Sequence, residues 1–259
     1  MSQSFLGRIM EAGRSPRMHP HVGPTDNADV ERIAGTRSGA LRAAIFGAND
    51  GLVSNLSLIM GVAGANIGRT AILVAGVAGL IAGAFSMGAG EYVSMRVQRE
   101  LFERLLHIEA HELATQPVEE RRELARLYRL KGMPKEVAEQ AADALMRDPQ
   151  VALETHAREE LGLDPNALGS PIGAALSSFV MFAIGAIAPL VPFLVAEGTA
   201  AILASVTIGA VALFALGAGM ARFTGRPVAL SGGRMLLIGG TAAAVTYGVG
   251  SLLNVGGIT

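Results

Sequence analysis

Asp50 lies inside a run that is otherwise largely apolar, Phe46-Gly-Ala-Asn-Asp-Gly-Leu-Val-Ser-Asn55, with Asn49 and Asn55 beside it. A carboxylate within a segment hydrophobic enough to cross a bilayer is expensive, and such residues mark ion paths and proton relays. In the next apolar run Met87 and Glu91 stand four positions apart, so on a helix they share a face that Gly83 and Gly79 continue. If both runs start from one surface, Asp50 is about eleven residues in and Met87 about nine, each roughly 15 Å deep at 1.5 Å per residue. An acid, a thioether and amide oxygens suit a transition metal that must bind and leave quickly, whereas an all-oxygen cage suits magnesium or calcium. The plainer readings are that Met87 is core packing, the common use of a membrane methionine, and that Asp50 caps a kink or pairs with Asn55 or Arg42.

A second set of donors follows. Glu109 and Glu112 stand three apart, His107 and His111 four apart, and each pair fits one face of one helix. Glu119, Glu120 and Glu123 come next, then Glu154, His156, Glu159 and Glu160. Carboxylate pairs from several helices follow the logic of carboxylate metal sites in helical bundles. The competing reading is a solvated face, because Arg99, Arg104, Arg121, Arg122, Arg126 and Arg158 are interleaved at spacings that allow ion pairs. His111-Glu-Leu lacks the second histidine of a zinc-protease motif.

Five stretches are long and apolar enough to position these groups across a hydrocarbon core, which takes about 20 helical residues: roughly 39 to 65, 70 to 96, 171 to 196, 199 to 221 and 233 to 256. Basic residues flank them at Arg37 and Arg42, at Arg96 and Arg99, and at Arg222, Arg226 and Arg234. The positive-inside rule puts those three regions in the cytoplasm, with Glu197 and the C-terminus outside and Arg69 the one basic residue on the outer side. The fold class expected is all-α: a polytopic membrane protein with five transmembrane helices and a small helical cytoplasmic insert between the second and third. The divisions are 1–37 as a polar N-terminal tail without a signal peptide, 38–96 as crossings one and two, 97–169 as the acidic insert and 170–259 as crossings three to five.

Within the insert, Gln98 to Thr115 continues the second span, and Val118 to Leu130, Lys135 to Arg147 and Val151 to Leu161 read as further helices begun near Pro117, Pro134 and Pro149. Ala75, Gly79 and Gly83 form a row of small residues that lets a helix approach closely, and Pro189 and Pro192 must disturb the third span. About half of the 259 residues are hydrophobic, 17% are charged, and most acids fall between residues 97 and 161. With no cysteine, thiolate catalysis, disulfides and Cys-ligated zinc are excluded.

The motifs Asn49-Asp50-Gly51-Leu52-Val53-Ser54, Ser86-Met87 with Gly90-Glu91-Tyr92-Val93-Ser94, and Pro189-Leu-Val-Pro192 resemble the vacuolar iron transporter family over roughly residues 38 to 256. The resemblance implies a homodimer of five-helix subunits with a path between them, lined at Asp50 and Met87, and proton-coupled export of Fe(II). It further implies that Glu109, Glu112, Glu120, Glu123 and Glu160 form a cytoplasmic metal-binding site. Where the family commonly carries two methionines this chain has His156-Ala157, an imidazole in place of two thioethers, so Mn(II) and Zn(II) come into range beside Fe(II).

The expected function is therefore transport of Fe(II) and Mn(II) out of the cytoplasm by proton antiport, through Asp50, Met87, Glu91, Asn49 and Asn55, with metal gathered at Glu109, Glu112, Glu120, Glu123, Glu160 and His156. Metal is substrate, and no tightly bound cofactor is expected. The partners are a second copy of the chain, membrane lipid, metal ions and protons, without nucleic acid. The setting is a bacterial plasma membrane, or a vacuolar membrane in a eukaryote. The rival is a membrane-anchored metal-binding or storage protein without transport. A di-iron oxidase is disfavoured because the repeated Glu-x-x-His pair is missing, so no enzyme is expected.

Overall fold

The computed structural model describes residues 38–163 and 169–253; the N-terminal tail, with His19 and His21, lies outside the described residues. The chain divides into Met1–Gly35 and Thr36–Thr259, and all described helices belong to the second unit. They are α1 (Ser38–Gly64), α2 (Arg69–Thr115), α3 (Pro117–Leu130), α4 (Lys135–Leu145), α5 (Pro149–Glu159), α6 (Pro171–Ile187), α7 (Pro192–Val195), α8 (Gly198–Thr224) and α9 (Val228–Leu253).

α1, α2, α8 and α9 are each long and apolar enough to cross a membrane. Their apolar side chains largely face outward: Val211 is 65% exposed and Leu237 71%. In water such a surface is untenable, and in lipid it is the ordinary solvent-facing side.

α1 is the central helix, packing on α6, α9, α2 and α8. Its Leu56, Ile59 and Met60 join Ile72, Leu190, Phe193, Ala201 and Ala243 in one core, and Leu52 packs with Leu213 and Met235 in another. Contact with α6 is backbone to backbone: a Cβ on Gly51 would run into the Phe182 carbonyl, and one on Gly185 into the Ala48 carbonyl. Small residues permit this because two helices gain dispersion and hydrogen bonding only where their axes come close.

The apolar stretch over 171 to 196, which Pro189 and Pro192 are expected to disturb, is broken into two helices. α6 ends at Ile187, about 25 Å after its start, and the chain turns before the four-residue α7. Pro189 and Pro192 have no N–H to give, and Leu190 N–H donates instead to Ile187 O at 2.9 Å in a tightened turn. Side chains satisfy the carbonyls thus released. Asn55 Nδ2 donates to Ala186 O at 2.6 Å, Ser205 Oγ to Pro189 O at 2.6 Å, and Arg69 to Phe193 O and Leu194 O at 2.6 and 2.7 Å. Irregular backbone among membrane helices survives only where protein groups replace the missing donors. Arg69 thereby caps the break between α6 and α7 and pairs with Glu197 at 2.7 Å.

α2 runs unbroken for 47 residues, about 70 Å. Its apolar part ends near Met95, which is buried against Ala43 and Ala174, and the rest carries the acidic segment. α3, α4 and α5 start at or beside Pro117, Pro134 and Pro149, as the sequence predicts; α4 closes at Leu145 and α5 at Glu159, each two residues earlier than read. Leu124, Ala125, Tyr128, Ala138 and Ala142 form the small core between α3 and α4.

Candidate metal pathway and metal-binding cluster

A cavity of ≈ 370 Å³ lies between α1 and α2, closed on one side by Phe182 of α6. α1 contributes Asp50, Ser54 and Asn55, four and five residues apart, while Glu91, Met87, Gly83 and Gly79 follow one another along the facing wall of α2. The two glycines let neighbouring side chains pack directly on the α2 backbone at the cavity wall. A Cβ on Gly83 would enter the Phe182 ring, and one on Gly79 would meet Leu58.

Of the five residues read as a path, Asp50, Asn55, Met87 and Glu91 line this cavity, and Asn49 does not. Asn49 Oδ1 is instead buried without a hydrogen bond. Asp50 has neither partner proposed for it: Asn55 is committed to the Ala186 carbonyl, and Arg42 pairs with Glu91 at 3.1 Å. Asn55 is 2% exposed, and because its Nδ2 is held, its orientation is fixed. Its Oδ1, without a hydrogen bond, lies on the Gly79 side, 3.1 Å from where a Gly79 Cβ would stand. The cavity thus presents a carboxylate, an amide oxygen and a thioether among apolar walls, with an ion-paired carboxylate at the end nearer the acidic helices. That donor set fits a borderline divalent metal better than a hard one.

About 27 Å further along α2 from Glu91, beyond its apolar part, Glu109 meets Glu120 of α3 and His156 of α5, with one donor atom from each within 4.8 Å of the others. All three are buried, His156 completely. Glu109 Oε1 has no hydrogen bond. Burial, then the carboxylates of Glu160, Glu120 and Glu112, push the Glu109 acid up to about 7, with His156 opposing. Burial foremost also raises Glu120, together with Glu112, Glu123 and Glu160, and raises Glu160, together with Glu123 and Glu112. Acids driven upward by one another are short of cations, which a divalent metal supplies. His156 Nδ1 lies 2.9 Å from the Ala152 carbonyl, the kind of outer bond that orients a ligating imidazole. Nε2 lies 3.3 Å from the Glu120 carbonyl oxygen, a contact that an ion ligated at Nε2 would have to displace.

Arg99, Arg121 and Arg158 of the interleaved arginines, with Arg96 and Lys131, pair with a different group of acids. Glu100, Glu103 and Glu154 pair with Arg96, Arg99 and Arg158 at i,i+4, Asp143 pairs with Arg121, and Glu159 with Lys131. Among the described residues, none of Glu109, Glu112, Glu120, Glu123 and Glu160 takes an ion pair. His107 and His111 are exposed and stand apart from the cluster. Sequence reasoning missed Phe182, whose apolar context carries no signal, and Ser86 as a lining residue. It also gave Arg42 the wrong partner.

Helices long enough to span a membrane, with a polar cavity between two of them and a buried acid cluster on an extension of one, define an integral membrane protein built to handle cations. Comparison with known proteins agrees. The VIT family model matches residues 41–251, and the chain belongs to that family. It is 37% identical over 216 residues to the vacuolar iron transporter of Acanthamoeba castellanii, covering 83% of this chain and 79% of that protein. It is 36% identical over 241 residues to vacuolar iron transporter homolog 1 of Oryza sativa subsp. japonica (91% and 82% covered). Identity to the vacuolar iron transporter of Toxoplasma gondii is 32% over 238 residues, with 86% and 78% covered.

Proposed function

We propose that this protein is a proton-coupled transporter that moves Fe(II), and Mn(II) with it, out of the cytoplasm. The observation that carries the reading is the α1/α2 cavity, where Asp50, Asn55, Met87 and Glu91 converge among segments fit to span a membrane. The names of its relatives support iron as the cargo. Glu109, Glu120 and His156, ringed by Glu112, Glu123 and Glu160, collect metal at the far end of α2 and hold it near the mouth of the path.

In this reading α6 with α7 makes the third of five crossings. The Arg69–Glu197 pair brings the α1–α2 and α7–α8 connections to one end, opposite Arg42, Arg96 and the acidic helices, which suits an outer and a cytoplasmic side respectively. Asp50 and Ser54 are exposed on the single chain. A carboxylate cannot stand against lipid, so a second copy covers that face and the path runs between the two subunits. Asp50 carries either metal or proton, because a neutral acid is tolerated within a membrane and an unbalanced carboxylate is not. The membrane is a bacterial plasma membrane, or the vacuolar membrane in a eukaryote.

Fe(II) and Mn(II) uptake into sealed proteoliposomes, with and without an imposed pH gradient, tests the coupling. Flux that quickens with opposing protons, and loses that dependence in Asp50→Asn, is expected. Tight binding by the insert with no flux under any gradient would establish the anchored metal-binding protein instead.

A further inference from the structure

The ion pair between Arg42 and Glu91 bridges α1 and α2 at the end of the cavity nearer the acidic helices, at 3.1 Å. Its two members differ in setting. The Glu91 side chain lines the cavity and is 16% exposed, whereas that of Arg42 is 57% exposed and lies outside the lining. Deeper in the same cavity Asp50 takes no ion pair among the described residues.

We propose that Arg42 is a built-in cation that occupies Glu91 when no metal is present and must withdraw before a divalent metal is ligated there. It thereby sets the metal concentration at which transport half-saturates and discriminates against monovalent ions. This inference rests on the transporter reading above.

The charge balance argues for displacement. Counted for the α1/α2 cavity that each chain forms by itself, where one metal is ligated per subunit, Asp50, Glu91 and Arg42 together carry one negative charge. Adding a divalent ion while Arg42 stays leaves one positive charge among apolar walls, where an uncompensated charge is costly. With Arg42 gone the two carboxylates balance the metal. The arginine has somewhere to go: its long stem can remain on apolar surface while the guanidinium moves to the interfacial water and headgroups, and it is already more than half exposed. Arginine is also suited to the task because it stays charged at every working pH, so the competitor never switches off. A monovalent ion brings no more charge than the guanidinium it replaces and forfeits a charge-assisted hydrogen bond, whereas a divalent transition metal adds a second charge and can draw on the sulfur of Met87.

The alternative is that the pair only staples two helices. The separating experiment is the concentration dependence of initial Mn(II) flux into proteoliposomes for the full chain, Arg42→Gln, Arg42→Lys, Glu91→Gln, and Arg42→Gln in the Glu91→Gln background. Arg42→Met, which keeps the apolar stem, serves in place of Arg42→Gln should the glutamine variant fold poorly. Displacement predicts that Arg42→Gln lowers KM by about two- to five-fold, the equivalent of a partly exposed ion pair, and makes the flux more sensitive to inhibition by Na⁺. It further predicts that Arg42→Lys stays near the parent and that the change vanishes in the Glu91→Gln background. An unchanged or raised KM in Arg42→Gln, or the same fall without Glu91, overturns the inference and leaves transport standing. No Mn(II) or Fe(II) flux by the parent overturns the transporter reading and this inference with it.

Discussion

The amide of Asn55 ties the cavity to the break between α6 and α7: Nδ2 donates to the Ala186 carbonyl and Oδ1 remains on the cavity side. Asn55→Leu strands that carbonyl, and thermal unfolding in detergent should show a loss of about 1–3 kcal/mol; an unchanged midpoint would mean the bond is dispensable. Met87→Leu removes sulfur while nearly conserving volume, at a cost below about 1.5 kcal/mol. We expect Fe(II) flux to fall at least ~10-fold with the melting temperature little changed, and equal losses in both would make Met87 a packing residue. Glu109, raised together with Glu120 and Glu160, contributes to the pH dependence of the cluster. Its folded-state acid is raised to about 7 from 4.5, so the folded protein holds that proton more tightly than the unfolded chain. The associated stability is fully present below about 4.5 and is lost as pH rises through about 7. Metal must displace the same proton, so Mn(II) binding to the insert should strengthen from pH 5.5 to 7.5 with proton release, and Glu109→Gln should flatten that profile. Asp50 and Met87 were legible in the sequence because each is the odd atom type in an apolar run. Arg42 was misassigned because periodicity speaks only of near neighbours, and its partner lies 49 positions away.

At the scale of elements, prolines announced that the third crossing is disturbed, but nothing local said what would replace the lost donors. Asn55, Ser205 and Arg69 come from three other helices, and only the packing brings them to Ala186, Pro189 and Phe193. The acidic helices show the same limit. Glu100, Glu103, Glu119, Glu123 and Glu154 each have an arginine three or four positions away and Glu109, Glu112 and Glu120 have none, but spacing along one helix does not say which acids converge between helices; helix rotation sorts Glu100, Glu103 and Glu154 toward their arginines and Glu109, Glu120 and His156 inward. The α1–α6 contact is the most demanding packing in the fold. Gly51→Ala pushes a methyl group at the Phe182 carbonyl, and we expect about 1–3 kcal/mol of destabilisation, read from the unfolding midpoint, with flux reduced because Phe182 closes the cavity. A variant of full stability would show that α1 and α6 can part without consequence.

Over the whole molecule, one long helix joins a buried acid cluster to a polar cavity between α1 and α2. α2 supplies Glu109 to the first and Met87 and Glu91 to the second, so in the proposed transport cycle collection and passage would sit on one continuous element. The order of apolar segments and the acidic insert were readable from composition alone; their arrangement around α1 was not, since it depends on close approaches such as Gly185 against Ala48. Initial-rate Mn(II) flux into proteoliposomes, compared among the parent, Asp50→Ala and Met87→Ala, decides whether metal crosses through the α1/α2 cavity. Flux in the parent and its loss in both variants are expected, with Mn(II) binding by Glu109, Glu120 and His156 retained. Flux that survives both substitutions at the parent's rate would place the path elsewhere and contradict passage through the cavity.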